Sequence, residues 1–211
     1  MFLPINVKPE LLELEDAEIL LWPQIVSEFD ADQLYHDLYA SLPWQQDTIS
    51  LYGKTHNVPR LQVWMGDPGR HYQYSGIHLK STPWHSAVQQ IRRHIEKLSH
   101  HRFNSVLINL YRDGQDSNGW HSDDETELGE HPVIASFSLG ATRRFRLRHK
   151  RRKDLRPYSI DLSSGSLMIM AGNTQHCWHH CLTKTTRAVQ PRINLTSTLE
   201  FPKHNSSTTI E

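Results

Sequence analysis

The chain has 211 residues, 37% hydrophobic and 22% charged, a composition that suits one globular domain with a sizeable core. No stretch approaches the ~18 apolar residues that a membrane helix needs. Lys plus Arg equals Asp plus Glu, at 23 each, so any preference for a charged partner rests on distribution rather than on the total.

Acid gathers in residues 10–37, whereas Arg143–Lys153 (RRFRLRHKRRK) holds none. The N-terminal run MFLPINVKPELLELEDAE lacks the basic-then-apolar layout of a secretion signal. A cytosolic protein, or a nuclear one in a eukaryote, is expected, with Cys177 and Cys181 as reduced thiols.

Residues 8–22 mix acids with Leu and Ile and read as an N-terminal extension or a first strand (AEILLWP). A helix is expected from Phe29 to Leu42, with Asp30 as N-cap, Leu34, Tyr35, Leu38 and Tyr39 at helical spacing, and Pro43 as its stop. A loop-and-hairpin region follows, punctuated by Gly53, Pro59, Gly66, Pro68 and Gly69. Pro83–Leu98 is the clearest helix, with Trp84, Val88, Ile91, Ile95 and Leu98 recurring on one face.

After residue 103 short β-rich runs take over: SVLINLY, VIASFSLG, RRFRLRH, YSIDLS, SLMIMAG and RINLTSTL. Evenly spaced short strands predict an antiparallel sandwich or barrel, so the class is α+β, with helices first and a β-core after. The tail, 202–211, carries no such pattern and is expected to be disordered.

With 15 histidines in the chain, arrangement matters more than presence. His121 and Asp123 form an H-x-D pair after a Gly-containing turn, and share a face if that segment is extended. His176, His179 and His180 cluster almost sixty residues later. Two histidines and one carboxylate on one side of a metal leave positions open for a co-substrate and O2, the ligand set of iron(II) oxygenases. Arg192, in the strand-like PRINLT, could pair in bidentate fashion with the free carboxylate of a dicarboxylate co-substrate. A zinc hydrolase built on His176–Cys181 is a weaker alternative, because the paired cysteine spacing of a structural zinc site is missing.

Taken together, NLYRDG (109–114), GWHSDDE (119–125), IASFSLG (134–140), RLRHK (146–150), GSLMIM (165–170), His180 and PRINLT (191–196) resemble the AlkB family of alkylation-repair dioxygenases, in particular its branch acting on double-stranded DNA. The resemblance runs from about residue 44 to 198. It implies a double-stranded β-helix (jelly-roll-like) core over 103–200, with N-terminal helices, an extension to about residue 28 and a nucleotide-recognition lid over 44–80, all in one domain.

It also implies Fe(II), 2-oxoglutarate and O2, and alkylated DNA, in duplex form, as the partner; no obligate protein partner is indicated. The implied reaction decarboxylates 2-oxoglutarate to succinate and hydroxylates the N-alkyl carbon of a lesion such as 1-methyladenine or 3-methylcytosine, releasing formaldehyde.

By position, His121, Asp123 and His180 match the iron ligands; the family's spacing to the arginine selects His180 over its neighbours. Asn109 and Tyr111 match residues that hydrogen-bond 2-oxoglutarate, and Arg192 the one that pairs with its distal carboxylate. Arg60, Tyr72 and Tyr74 fall in the lid, where Tyr74 would stack on an extruded base. Tyr52 falls where the duplex-acting branch carries a finger that fills the gap left by that base. Asp124 and Glu125 match positions near the base edge. Arg143, Arg148 and Lys150, in the basic run, are candidates for phosphate contacts. Two departures stand out: Thr198 occupies the place of a second family arginine, and Met65 that of an aromatic. A related oxygenase of RNA or protein, or a decayed nucleic-acid-binding relative, are the rival readings.

Overall fold

A computed structural model describes residues 7–51, 53–68, 72–74, 77–79 and 81–201, with backbone alone at 50–51, 72–74 and 77–79. In chain order its elements are β1 (Glu10–Leu12), β2 (Glu18–Trp22), α1 (Glu28–Ser41), β3 (Thr48–Leu51), β4 (Lys54–Asn57), β5 (Leu61–Gly66), β6 (Tyr72–Tyr74), β7 (Ile77–Leu79), β8 (Ser81–Thr82) and α2 (Ser86–Ser99). The second half holds β9 (Ser105–Tyr111), β10 (Asn118–His121), a 3-10 turn (Thr126–Leu128), β11 (Ile134–Gly140), β12 (Arg143–His149), β13 (Tyr158–Leu162), β14 (Leu167–Ala171), the one-turn α3 (Thr174–Cys177), β15 (Trp178–Leu182) and β16 (Arg192–Thr198).

The two long helices, α1 and α2, each begin on a side chain that satisfies an orphan amide. Ser27 Oγ accepts from Asp30 N at 3.0 Å and donates to Asp30 Oδ2 at 2.8 Å. Ser27 is therefore the N-cap of α1, and Asp30, expected in that role, is its reciprocal partner one turn in. His85 Nδ1 accepts from Ala87 N and caps α2, so the helix begins at Ser86 and the expected start, Pro83, lies two residues before the cap. Ala87, Val88, Ile91 and Ile95 form the buried face of α2. Pro43 follows the C-cap Leu42, as its missing N–H and fixed φ require.

The strands form two principal sheets. The major one runs β1-β2-β14-β11-β16-β9-β5-β8 and the minor one β10-β15-β12-β13, with two hairpins, β3-β4 and β6-β7, beside them. This two-sheet arrangement with few helices is a jelly-roll core of the α+β class, as expected. The major sheet reaches beyond the expected 103–200, recruiting β1, β2, β5 and β8. β5, inside the segment expected as a lid, pairs with β9 over its whole length.

Strand alternation splits the interior into two layers. Val106, Ile108, Leu110, Phe137, Ile193 and Leu195 pack on one side of the major sheet against Leu34, Leu38, Val88 and Ile91 of the helices. Ile134, Met168 and Met170 pack on the other side, between the sheets, against Phe145, Leu147 and Trp178. Among the described residues no helix is long and apolar enough to cross a membrane.

Gly140, at the β11–β12 turn, has φ +81°, and a Cβ there would lie 2.6 Å from Pro191 O and 2.9 Å from the Tyr35 ring. Gly140→Ala is expected to destabilise the fold by about 1–3 kcal/mol. Urea denaturation should show this, beside a Gly119→Ala control, whose Cβ meets nothing within 4 Å and which should shift stability by less than about 0.5 kcal/mol.

Candidate functional site

The inward faces of β9, β11 and β16 meet the minor sheet at one end of the sandwich, around a cavity. Asn109 and Tyr111 enter it from β9, Ser136 from β11, and Arg192, Asn194, Thr196 and Thr198 from β16. His121, Asp123, Phe145 and His180 close it from the other side, with Arg60 and Glu125 also on its wall.

His121 ends β10 and faces His180 of β15 across the ladder. Their Nε2 atoms stand 3.1 Å apart, and Asp123 carboxylate oxygens lie 3.7 Å from His121 Nε2 and 3.5 Å from His180 Nε2. Donors on a first-row cation with bonds of about 2.1 Å stand roughly 3.0 Å apart at a right angle and roughly 3.4 Å apart at a tetrahedral one. These three side chains are therefore spaced to hold one ion.

The two histidines are set to ligate. His121 Nδ1 lies 2.8 Å from the Gly119 carbonyl, which can only accept, so Nδ1 carries the proton and the Nε2 lone pair points at the cluster. Burial, reinforced by His121, His179 and Lys150, holds His180 well below its ordinary pKa, hence neutral and ready to ligate. Burial pushes the Asp123 carboxyl up, with His121 opposing.

Asp123 lies past the end of β10, so the H-x-D pair does not share a strand face as expected; a loop brings the carboxylate in. Of the later histidines only His180 joins the cluster. His176 is exposed and bonds the Glu130 carbonyl, and His179 is only partly buried, on the strand position next to His180. A second trio, Asp16, His149 and Cys177, also has its potential donors within 4.8 Å of one another.

Deeper in the cavity sits Arg192, 2% exposed. Its Nη2 donates to Ser138 Oγ at 2.9 Å and Asn194 Oδ1 at 2.8 Å, yet no carboxylate pairs with it among the described residues, and its Nε is buried without a partner. Burial lowers its pKa to about 10, so it remains a cation at neutral pH. The Tyr111 ring lies 5.5 Å from this guanidinium and 6.0 Å from that of Arg143. Asn109 Oδ1 accepts from Arg60 Nε (2.8 Å) and Gln62 Nε2 (3.0 Å), which fixes the carboxamide and leaves Nδ2 as its donor. A buried, anion-free guanidinium in the same cavity as a three-donor metal cluster fits a dicarboxylate that reaches the metal.

The basic run divides by strand parity. Arg143, expected at phosphates, is 3% exposed and donates to the carbonyls of Asp113, Asp116 and Thr183. It is a brace inside the fold, because Arg143 shares its strand face with the buried Phe145 and Leu147. Arg148 faces outward at 4.4 Å over the Trp120 ring, with Arg146 at 5.8 Å. Lys150 is engaged by Asp124 Oδ2 and the Gln175 carbonyl. Tyr52 lies outside the described residues, as do the side chains of Tyr72 and Tyr74. Thr198 hydrogen-bonds Ser105 across the ladder at 2.7 Å, and Met65 is fully buried with its sulfur accepting from His85 N.

Sequence reasoning missed Ser138 and Asn194, which hold Arg192. Asn194 was findable, since it stands two residues after Arg192 in a strand. It also missed Gln62 and Gln175, which carry no motif.

Two histidines and a carboxylate on one side of an ion define the class of non-haem iron(II) oxygenases. The signature of the 2OG-Fe(II) oxygenase superfamily matches residues 18–197. The human "Alpha-ketoglutarate-dependent dioxygenase alkB homolog 3" is 38% identical over 194 residues, covering 88% of this chain and 67% of that protein. The human "DNA oxidative demethylase ALKBH2" is 37% identical over 176 residues, covering 79% and 67%. The solved structure of OsALKBH1 superposes with a TM-score of 0.63 at 17% identity, over 90% of this chain and 100% of that one, and shares the fold. The chain belongs to the 2OG-Fe(II) oxygenase superfamily, among its AlkB-type dioxygenases.

Arg192→Met should separate binding from folding. Removing one partner of a buried charged pair costs about 2 kcal/mol or more, so 2-oxoglutarate affinity should fall at least ~30-fold by calorimetric titration. The unliganded variant should melt no lower than the parent, since an uncompensated buried cation is gone. A large drop in melting temperature with affinity retained would remove Arg192 from the co-substrate site.

Proposed function

We propose that this protein oxidatively removes alkyl groups from damaged bases in DNA. The observation that carries the reading is one cavity holding both the His121–Asp123–His180 cluster and the carboxylate-free Arg192. Supporting the choice of nucleic acid are the activity in the name of the ALKBH2 relatives and the outward arginines stacked on Trp120.

Iron(II) bound with 2-oxoglutarate would supply the oxidation, in which one atom of O2 becomes the hydroxyl of the alkyl carbon and the other enters succinate as the co-substrate loses CO2, the hydroxyalkyl base then releasing formaldehyde. His121, Asp123 and His180 would hold the metal. Arg192, kept in line by Ser138 and Asn194, would take the distal carboxylate of the co-substrate, with Asn109 and Tyr111 lining its path. The apolar wall of Leu107, Leu128, Ile134 and Phe145 keeps water from the reacting carbon. Glu125 stands on the cavity wall, where burial first and Asp123 second raise its carboxyl to about 7. Arg60, Tyr52, Tyr72 and Tyr74 are assigned to the extruded nucleotide, and duplex DNA is the first substrate to try.

Succinate and formaldehyde should be released from a duplex oligonucleotide carrying 1-methyladenine, in the presence of iron(II), ascorbate and 2-oxoglutarate, and His121→Ala should abolish both products. Turnover confined to single strands or to methylated tRNA would overturn the duplex assignment.

Arg148→Ala should weaken DNA binding and flatten the plot of log K against log salt by about 0.7–0.9. An unchanged slope would exclude Arg148 from the phosphate contacts.

A further inference from the structure

Two of the three metal donors ride on strands and the third does not. His121 and His180 are paired across a ladder, whereas Asp123 lies in the irregular stretch 122–125. A loop carboxylate keeps its place only if neighbouring backbone groups are tied down elsewhere.

The ties come from the α3 turn and the first residue of β15, together with Lys150 just past the end of β12. Gln175 Oε1 accepts from Asp123 N at 2.9 Å. Ser122 Oγ donates to Trp178 O at 3.1 Å. Lys150 Nζ bridges Gln175 O at 2.7 Å and Asp124 Oδ2 at 2.9 Å. Gln175 is fully buried, and its Nε2 meets Met170 Sδ at 3.6 Å. Burying a carboxamide is unfavourable unless it is hydrogen-bonded. Here its oxygen serves the amide of a metal ligand.

We propose that Gln175 is a positioning residue for the metal ligand Asp123, and that Lys150 is the outer brace of the same loop rather than a phosphate contact. The inference rests on the metal cluster and is independent of the substrate. Gln175 acts through Asp123 and touches no reacting atom. Its loss should therefore appear in metal affinity before any substrate is added, because partners that orient metal ligands typically govern metal affinity 10–100-fold.

Gln175→Met keeps the volume and removes the acceptor. Cobalt(II) affinity of the full chain, measured against a competing chelator, should fall about 10–100-fold. Hydrogen exchange at the Asp123 amide, followed by NMR, should accelerate in the same variant. Faster exchange with unchanged cobalt affinity would overturn the proposal, and so would no change in either. Should Gln175→Met fail to fold, the partly exposed Lys150 gives the second test. Lys150→Met should weaken cobalt binding by up to about 10-fold and Lys150→Arg should restore it; equal affinity in all three proteins would overturn the brace. Inactivity on every alkylated oligonucleotide, with cobalt binding intact, would sink the substrate reading alone.

Discussion

The period of two in β9, β11 and β16 divides this chain into scaffold and site. Odd positions of β16 (Ile193, Leu195) and even positions of β9 (Val106, Ile108, Leu110) pack against the helices. The intervening residues, Asn109, Tyr111, Arg192, Asn194, Thr196 and Thr198, face the cavity. A slip of one residue in the β9–β16 register would send every one of these side chains to the opposite face. The hydrophobic layer beneath α1 and α2 therefore fixes the chemistry above it. The polar face is tolerable in a buried sheet because its groups satisfy one another: Ser136 and Arg192 both donate to Asn194 Oδ1, and Asn194 Nδ2 donates to Thr196 Oγ1.

Within that network Arg192 is the exception. Its charge is desolvated, its nearest partners are neutral oxygens, and one nitrogen is left over. Such a cation opposes folding and favours an anion, so the fold holds in reserve the free energy that a dicarboxylate would recover. The departure at position 198 fits this economy. A second arginine there would add another cation to a pocket that already holds Arg192, whereas Thr198 closes on Ser105 with a neutral hydrogen bond.

Much of the β-core was legible because its strands are apolar and regularly punctuated. SVLINLY and RRFRLRH coincide with β9 and β12 to the residue. β15 was not, because WHHCL reads as a histidine cluster; only its pairing with β10 and β12 makes it a strand. β5 was hidden among glycines and prolines for the same reason: its order comes from pairing along β9. Ser27 and Asp30 form a reciprocal cap in which either residue alone looks like the N-cap. The inward turn of Arg143 was available from parity with Phe145 and Leu147, and was obscured by reading the run as charge. The metal triad was found through the family pattern, but the means of holding Asp123 depends on a long-range bond to Gln175, which no local spacing encodes.

Local hydrogen bonding also explains why, of the two three-donor groups among the described residues, only one suits a metal. His121 gives its Nδ1 proton to a carbonyl, which leaves Nε2 as a lone pair toward Asp123 and His180. His149 is set the other way. Its Nδ1 accepts from the amides of Arg151 and Arg152, so Nε2 must carry the proton, which it donates to Asp16 Oδ2 at 3.2 Å. A cation at Asp16, His149 and Cys177 would have to displace that proton while both amides still claim Nδ1, leaving an imidazolate. Proximity of donors is thus common to the two clusters, and the backbone group behind each imidazole decides which one can bind.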